Sequence, residues 1–104
     1  MKIFKVHISP TAHNCIKGIY NFCKNNYGII YARKIRNFIR TSIYELQTFP
    51  EANPIHFIGN DIIFRKRIVN GRYIIVFQII FNHIYILYVY DARRNINPKH
   101  LFKI

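Results

Sequence analysis

Two clusters of charged residues in this sequence have the types and spacing to do chemistry. The first is Arg65, Lys66, Arg67 and Arg72, gathered around the pair Asn70-Gly71. In extended chain alternate residues share a face, so Arg65 and Arg67 lie together and Lys66 opposes them. A hairpin turning at 70 and 71 sets residue 69 opposite 72 and 67 opposite 74, which makes Arg67 and Arg72 near neighbours. Such a face can grip phosphates through bidentate contacts; its plainer alternative is a solvated sheet face. The second cluster is "DARRN", where Asp91, one of 4 acidic residues in the chain, stands beside Arg93 and Arg94. Neighbouring positive charge holds a carboxylate ionised, whereas a general base poised near neutrality needs a raised pKa. Asp91 therefore reads as a brace that orients Arg93 or Arg94 rather than as a catalytic group.

Other chemistry is poorly provided for. His7, His13, His56, His83 and His100 are dispersed without metal-ligand spacing, and neither a Gly-rich phosphate loop nor a nucleophile elbow is present. No metal and no cofactor are expected. His100, in the basic tail "NPKHLFKI", could approach the arginine cluster. Among the aromatics Tyr73, Phe77, Phe81, Tyr85, Tyr88 and Tyr90, most belong in a core, and any that face outward could stack on bases.

The elements that must position these groups follow from periodicity. Residues 2 to 8 alternate and read as a strand. Ser9 then Pro10 starts a helix, with Ser as N-cap and Pro at the first helical position. Ala12, Ile16, Ile19, Cys23 and Tyr27 form its apolar stripe, ending near Asn25-Asn26. After Gly28 a second helix carries Ala32, Ile35, Ile39, Ser42 and Leu46 on one stripe and Arg33, Arg36 and Arg40 on another. Phe49-Pro50 stops it, because a residue before Pro is pushed out of the α region. Residues 51 to 60 read as a loop. Three strands follow, about 62–69, 72–81 and 84–91, turning at Asn70-Gly71 and at Asn82-His83. The order β-α-α-β-β-β makes an α+β domain, a helical hairpin packed on a small, mainly antiparallel sheet.

Composition sets the partners. The 104 residues suit a single domain, and 16 Lys plus Arg against 4 Asp plus Glu give a formal charge of +12. Charge of that size predicts a polyanionic or acidic partner. Residues 73 to 90 are apolar enough in length to suggest a membrane span, but Gln78, Asn82 and His83 interrupt them and the β-branched and aromatic content favours strands. Cys15 and Cys23, eight apart on a helix, would lie ~12 Å apart along its axis, too far for a disulfide. With no secretory signal at the N-terminus, a cytoplasmic protein is expected.

The Pro-initiated first helix, the second helix ending in "LQTFP", the hairpin "FRKRIVNGRYIIVFQI" and the closing "IYILYVYDARRNINP" resemble, in that order and over nearly the whole chain, the ParE/RelE superfamily of type II toxin–antitoxin toxins, of the plasmid-stabilisation type. The last piece is similar to a subgroup whose final strand ends in Asp-x-Arg followed shortly by Pro, here Asp91, Arg93 and Pro98. The resemblance implies one toxin domain over 1–104, growth inhibition, and an acidic cognate antitoxin bound in a hetero-oligomer. In the RelE-like branch the target is ribosome-bound mRNA, cleaved by Arg and Lys with a Tyr or His; in the ParE-like branch it is DNA gyrase, which is bound and inhibited. Superfamily nucleases carry Arg-x-x-Tyr on the middle strand, and aligned on "YIIVF" those positions are Ile74 and Phe77. Lacking both, in-line cleavage loses contributions worth orders of magnitude in rate. The ParE-like reading is therefore preferred. Its alternatives are an endoribonuclease, with Arg65, Arg67, Arg72, Arg93 and His100 as catalytic candidates, and an inactive binding module of the same fold. In the toxin readings Arg65, Lys66, Arg67, Arg72, Tyr73, Asp91, Arg93 and Arg94 form the surface for target or antitoxin.

Overall fold

Ser9 and Pro10 open the first helix as their residue types dictate. In a computed structural model of the chain, which describes residues 3–94, helix α1 spans Pro10–Tyr27 with Ser9 as its N-cap. The Ser9 hydroxyl accepts the Ala12 N–H at 3.0 Å and donates to the Leu87 carbonyl at 2.9 Å, so one side chain caps the helix and ties it to the sheet. Ala12, Ile16, Ile19 and Cys23 are buried as the stripe predicts. Tyr27 is not: it stands exposed at the helix end, edge-on to Tyr31. Gly28 alone separates the helices, with φ 95°, a conformation that disfavours any side chain. Its N–H reaches the Lys24 carbonyl and its own carbonyl takes the Ala32 N–H, both at 3.1 Å.

Helix α2 spans Ile29–Glu45 and buries Ala32, Ile35, Ile39 and Ile43, with Leu46 just beyond. Ile43 takes the place expected of Ser42, which is half-buried; the step from 39 to 43 to 46 keeps the helical spacing while placing a larger apolar side chain inside.

The sheet has 5 strands in the order β1-β5-β4-β3-β2. They are β1 (Lys5–Ile8), β2 (Ile55–Gly59), β3 (Ile62–Val69), β4 (Tyr73–Ile80) and β5 (His83–Asp91). β1 runs parallel to β5, and every other neighbour is antiparallel. The helices cover one face, where Val69, Tyr73, Ile75, Phe77, Ile84, Ile86 and Val89 join the helical stripes in one core. Phe64, Ile74, Val76 and Tyr88 form a second buried cluster, drawn from the alternate strand positions.

Three expectations are corrected. Residues 51 to 60 are not a loop: a 3-10 turn at Pro50–Ala52 precedes β2, an edge strand that returns through Asn60 and Asp61, both at positive φ (52° and 64°). The last hairpin turns at Phe81-Asn82 rather than Asn82-His83, because His83 stays in the ladder, opposite Ile80 on β4 and Lys5 on β1. The middle hairpin is displaced by one residue, with Val69 opposite Tyr73 and Arg67 opposite Ile75. Among the described residues no helix is long and apolar enough to cross a membrane, and residues 73 to 90 are β4, its turn and β5.

Candidate functional site

The displaced hairpin is what builds the site. Asn70 and Gly71, at φ 55° and 63°, make the tight turn their types predict, and the Arg72 N–H closes it on the Val69 carbonyl at 3.1 Å. Pairing resumes only at Tyr73, so Arg72 is left out of the ladder while its carbonyl receives the Ala92 N–H at 2.8 Å. Its side chain turns to Asp91, which lies opposite Tyr73 on β5. Arg72 Nη2 donates to Asp91 Oδ2 at 2.8 Å, and Nε donates to both carboxylate oxygens, at 3.1 and 3.0 Å. The two side chains are 11% and 2% exposed. Forked, charge-assisted contacts of this kind are the strong ones, and the hydrogen bond to Asp91 pushes the Arg72 pKa further above its already high value.

Asp91 is thus a brace, but for Arg72 rather than for the guanidinium of Arg93. To Arg93 it offers a different contact, accepting the backbone N–H on Oδ1 at 3.0 Å and so ordering the 3-10 turn Ala92–Arg94. Sequence proximity points to near neighbours; Arg72 is nineteen positions away and arrives only when the hairpin folds, while the Arg94 side chain lies outside the described residues. The Arg93 side chain is exposed. Arg94 ends the same turn, and His100 and Pro98 lie outside the described residues.

Tyr73 is only 1% exposed, beneath the Arg72 guanidinium (5.3 Å from the ring centre), with its hydroxyl 3.6 Å from Cys23 Sγ. It belongs to the core and cannot stack on a base. Both cysteines are free thiols.

The basic face on β3 is also spent internally. Arg65 and Arg67 do share a face, as alternation requires, but it is the helix side, opposite Phe77 and Ile75. Arg65 Nη1 donates to the carbonyls of Asn53 (2.9 Å) and Glu51 (3.3 Å), holding the turn before β2. Arg67 Nη2 pairs with Glu45 on α2 at 3.2 Å. Lys66 points the other way; its charge, after burial, helps push the His56 pKa below its ordinary value. Arg72, Tyr73, Asp91 and Arg93 are therefore brought together at one end of the sheet, while Arg65, Lys66 and Arg67 are divided between its faces.

Ile74 and Phe77 are buried, at 8% and 0% exposure. Each packs in a different apolar cluster, Ile74 with Phe64, Val76 and Tyr88, and Phe77 with the helical stripes.

No protein-family model and no curated protein sequence matches this chain. Among solved structures, the fold superposes on a chain of the chromosomal ParDE TA system from P. aeruginosa with a TM-score of 0.74, at 17% identity, covering 88% of this chain and 98% of that one. The fold is ParE-like.

On this ParE-like scaffold two clusters lie outside what residue spacing revealed. His7 Nε2 is 2.8 Å from His83 Nδ1, and the His7 ring stacks on Tyr85 at 4.9 Å. The histidines look dispersed in sequence because β1 and β5 come from opposite ends of the chain; only their parallel pairing joins them. The second is a cleft of about 410 Å³ between α1 and α2, lined by His13, Lys17, Tyr20, Arg36 and Arg40 among others. Its signal was present as the arginine stripe on the second helix, but the facing stripe on α1 carried only one lysine and one histidine. Among the described residues no group of three His, Cys, Asp or Glu side chains could hold a metal ion.

Proposed function

We propose that this chain is the toxin of a type II toxin–antitoxin module, that it arrests growth by binding and inhibiting DNA gyrase, and that an acidic cognate antitoxin neutralises it. The ParE-like fold supports the toxin assignment. The observation that carries the choice of target is the burial of Ile74 and Phe77. These are the positions where superfamily nucleases resemble one another in carrying Arg and Tyr, and here both are packed in hydrocarbon. RNA cleavage needs a cation preorganised at the developing charge and a group to move the proton, each worth orders of magnitude in rate. Neither can be delivered from these two positions.

A net charge of +12 suits a partner rich in carboxylates. The exposed Arg93, on a turn fixed by Asp91, is the group best placed for target or antitoxin, with the Arg72–Asp91 pair as its support. The cytoplasm is the compartment where such a complex would act.

The test is supercoiling by purified gyrase titrated with the purified chain. Inhibition near stoichiometry, weakened by Arg93→Glu, is the expected result; full supercoiling at large excess of toxin would refute the gyrase reading. In parallel, translating ribosomes receive the chain and mRNA ends are mapped by primer extension. New cleavage that disappears with Arg93→Ala would move the assignment to an endoribonuclease.

A further inference from the structure

We infer that the cleft between α1 and α2 is a binding site for a nucleoside phosphate, separate from the sheet-end surface built on Arg72 and Asp91. The two helices present matching stripes to it. On α2, Arg36 and Arg40 stand one turn apart; on α1, His13 and Lys17 do the same, with Tyr20 on the next turn. Like charges one turn apart destabilise a helix unless something neutralises them. Among the described residues nothing acidic does so here. All 4 carboxylate side chains lie elsewhere: Glu45 is paired with Arg67, Asp91 with Arg72, Glu51 sits in the 3-10 turn, and Asp61 in the turn after β2. On β3, by contrast, Arg65 Nη1 and Arg67 Nη2 have intramolecular acceptors, although Arg67 Nε is buried without one among the described residues.

Arg36 supplies the second, independent observation. Its guanidinium lies over the Tyr20 ring, with Cζ 4.7 Å from the ring centre, and its Nε is buried with no acceptor among the described residues. A buried donor without a partner is costly, and native proteins leave few of them. An anion in the cleft would meet the positive charge of Arg36, Arg40 and Lys17, which line it. The volume, about 410 Å³, falls in the range of small-molecule sites and exceeds what one inorganic phosphate fills. Around the cations the lining is mixed: Tyr20 offers an aromatic wall, and Asn14 and Asn21 bring amides that can pair with a base edge. Cations for phosphate, a planar wall for a base and amides to read its edge are the complement of a nucleoside phosphate, free or as one unit of a single strand.

The experiment uses the full chain with three probes: ATP, a ten-nucleotide single-stranded DNA, and tripolyphosphate, which lacks a base. Isothermal titration gives affinities, and amide chemical shifts locate the site in the unmodified protein. ATP is expected to shift Asn14, Tyr20 and Asn21, and Arg36→Gln/Arg40→Gln is expected to weaken it at least tenfold. Arg33→Gln/Lys34→Gln, the same loss of charge at exposed positions of α2, should change it less than twofold. Competition between DNA and ATP would identify a strand as the source, and ATP binding without competition a free nucleotide; either supports the site. Equal weakening by both double variants, shifts confined to other surfaces, or tripolyphosphate binding as tightly as ATP would overturn it. None of these outcomes depends on whether gyrase is the target, so the two readings fail separately.

Discussion

Arg72 and Asp91 meet through three hydrogen bonds of 2.8 to 3.1 Å at the end of the sheet, in surroundings that leave the carboxylate side chain 2% exposed. Removing one member leaves the other charge buried without its partner, which costs about 3–5 kcal/mol. Asp91→Ala is therefore expected to lower the urea midpoint sharply, by far more than Glu45→Ala. The Glu45–Arg67 pair is 57% and 30% exposed, and solvent screening holds such pairs to roughly 1 kcal/mol or less. Replacing both members, as Arg72→Met/Asp91→Leu, should recover much of the loss, because apolar side chains of similar volume do not need each other's charge. Equal effects of Asp91→Ala and Glu45→Ala would contradict this account.

Two glycines should respond to alanine with opposite signs. Gly71 has φ 63°, and a Cβ there meets nothing within 4 Å, so the cost is conformational and about 1–2 kcal/mol. Gly18 lies within α1, also with open space around a Cβ. Gly18→Ala is expected to raise stability by about 0.5–1 kcal/mol. Thermal melts of the two variants check both signs, and Gly71→Ala should also loosen the Arg72 contact.

Tyr73 tests whether the core or a ligand needs this ring. Tyr73→Phe removes only a long contact to Cys23 and should cost less than ~1 kcal/mol, with the proposed inhibition of gyrase, assayed in parallel, unchanged. Tyr73→Ala opens a cavity under Arg72 and should cost roughly 3–5 kcal/mol. A functional defect in a stable Tyr73→Phe protein would place the hydroxyl at an interface instead.

Alkaline pH should unfold the chain by a specific route. Burial raises the pKa values of Tyr73, Tyr88 and Tyr90 above the ordinary phenol value of about 10. For an acid whose folded pKa exceeds its unfolded one, the unfolded state sheds its proton first. The stabilisation is then complete below about pH 10 and is lost as pH climbs toward the raised folded values. Urea midpoints measured between pH 8 and 11 should fall steeply only at the upper end. Tyr88→Phe should flatten that decline, and phenolate absorbance should lag for the buried rings until unfolding.

How much could be read in advance depended on whether a residue's role is local. Ser9-Pro10, Gly28 and Asn70-Gly71 act through their own backbone angles, so their positions as cap, helix junction and tight turn were legible from residue type alone. β2 was not, because Ile55 and Ile58 remain exposed on a short edge strand set between Pro54 and Asn60, where turn residues dominate the pattern. Asp91 was recognised as a brace from the charges beside it, yet its partner Arg72 depends on a one-residue displacement of the hairpin. Side-chain alternation cannot reveal that displacement, because β4 is largely apolar on both faces and β3 mixes apolar and basic residues on both. The histidine pair and the α1–α2 cleft require the packing of elements that are distant in sequence.

The parallel pairing of β1 with β5 also has a consequence for how the chain is made. Residues 5 to 8 emerge during synthesis well before their hydrogen-bonding partners, residues 83 to 86. The helical hairpin can form early from local contacts, whereas the first strand must wait, unpaired, for the last one. The same late strand carries Asp91 and the Leu87 carbonyl that anchors Ser9. A chain of this design cannot assemble its sheet end while the ribosome still holds the final strand. The buried Arg72–Asp91 pair is therefore among the last features of the fold to form.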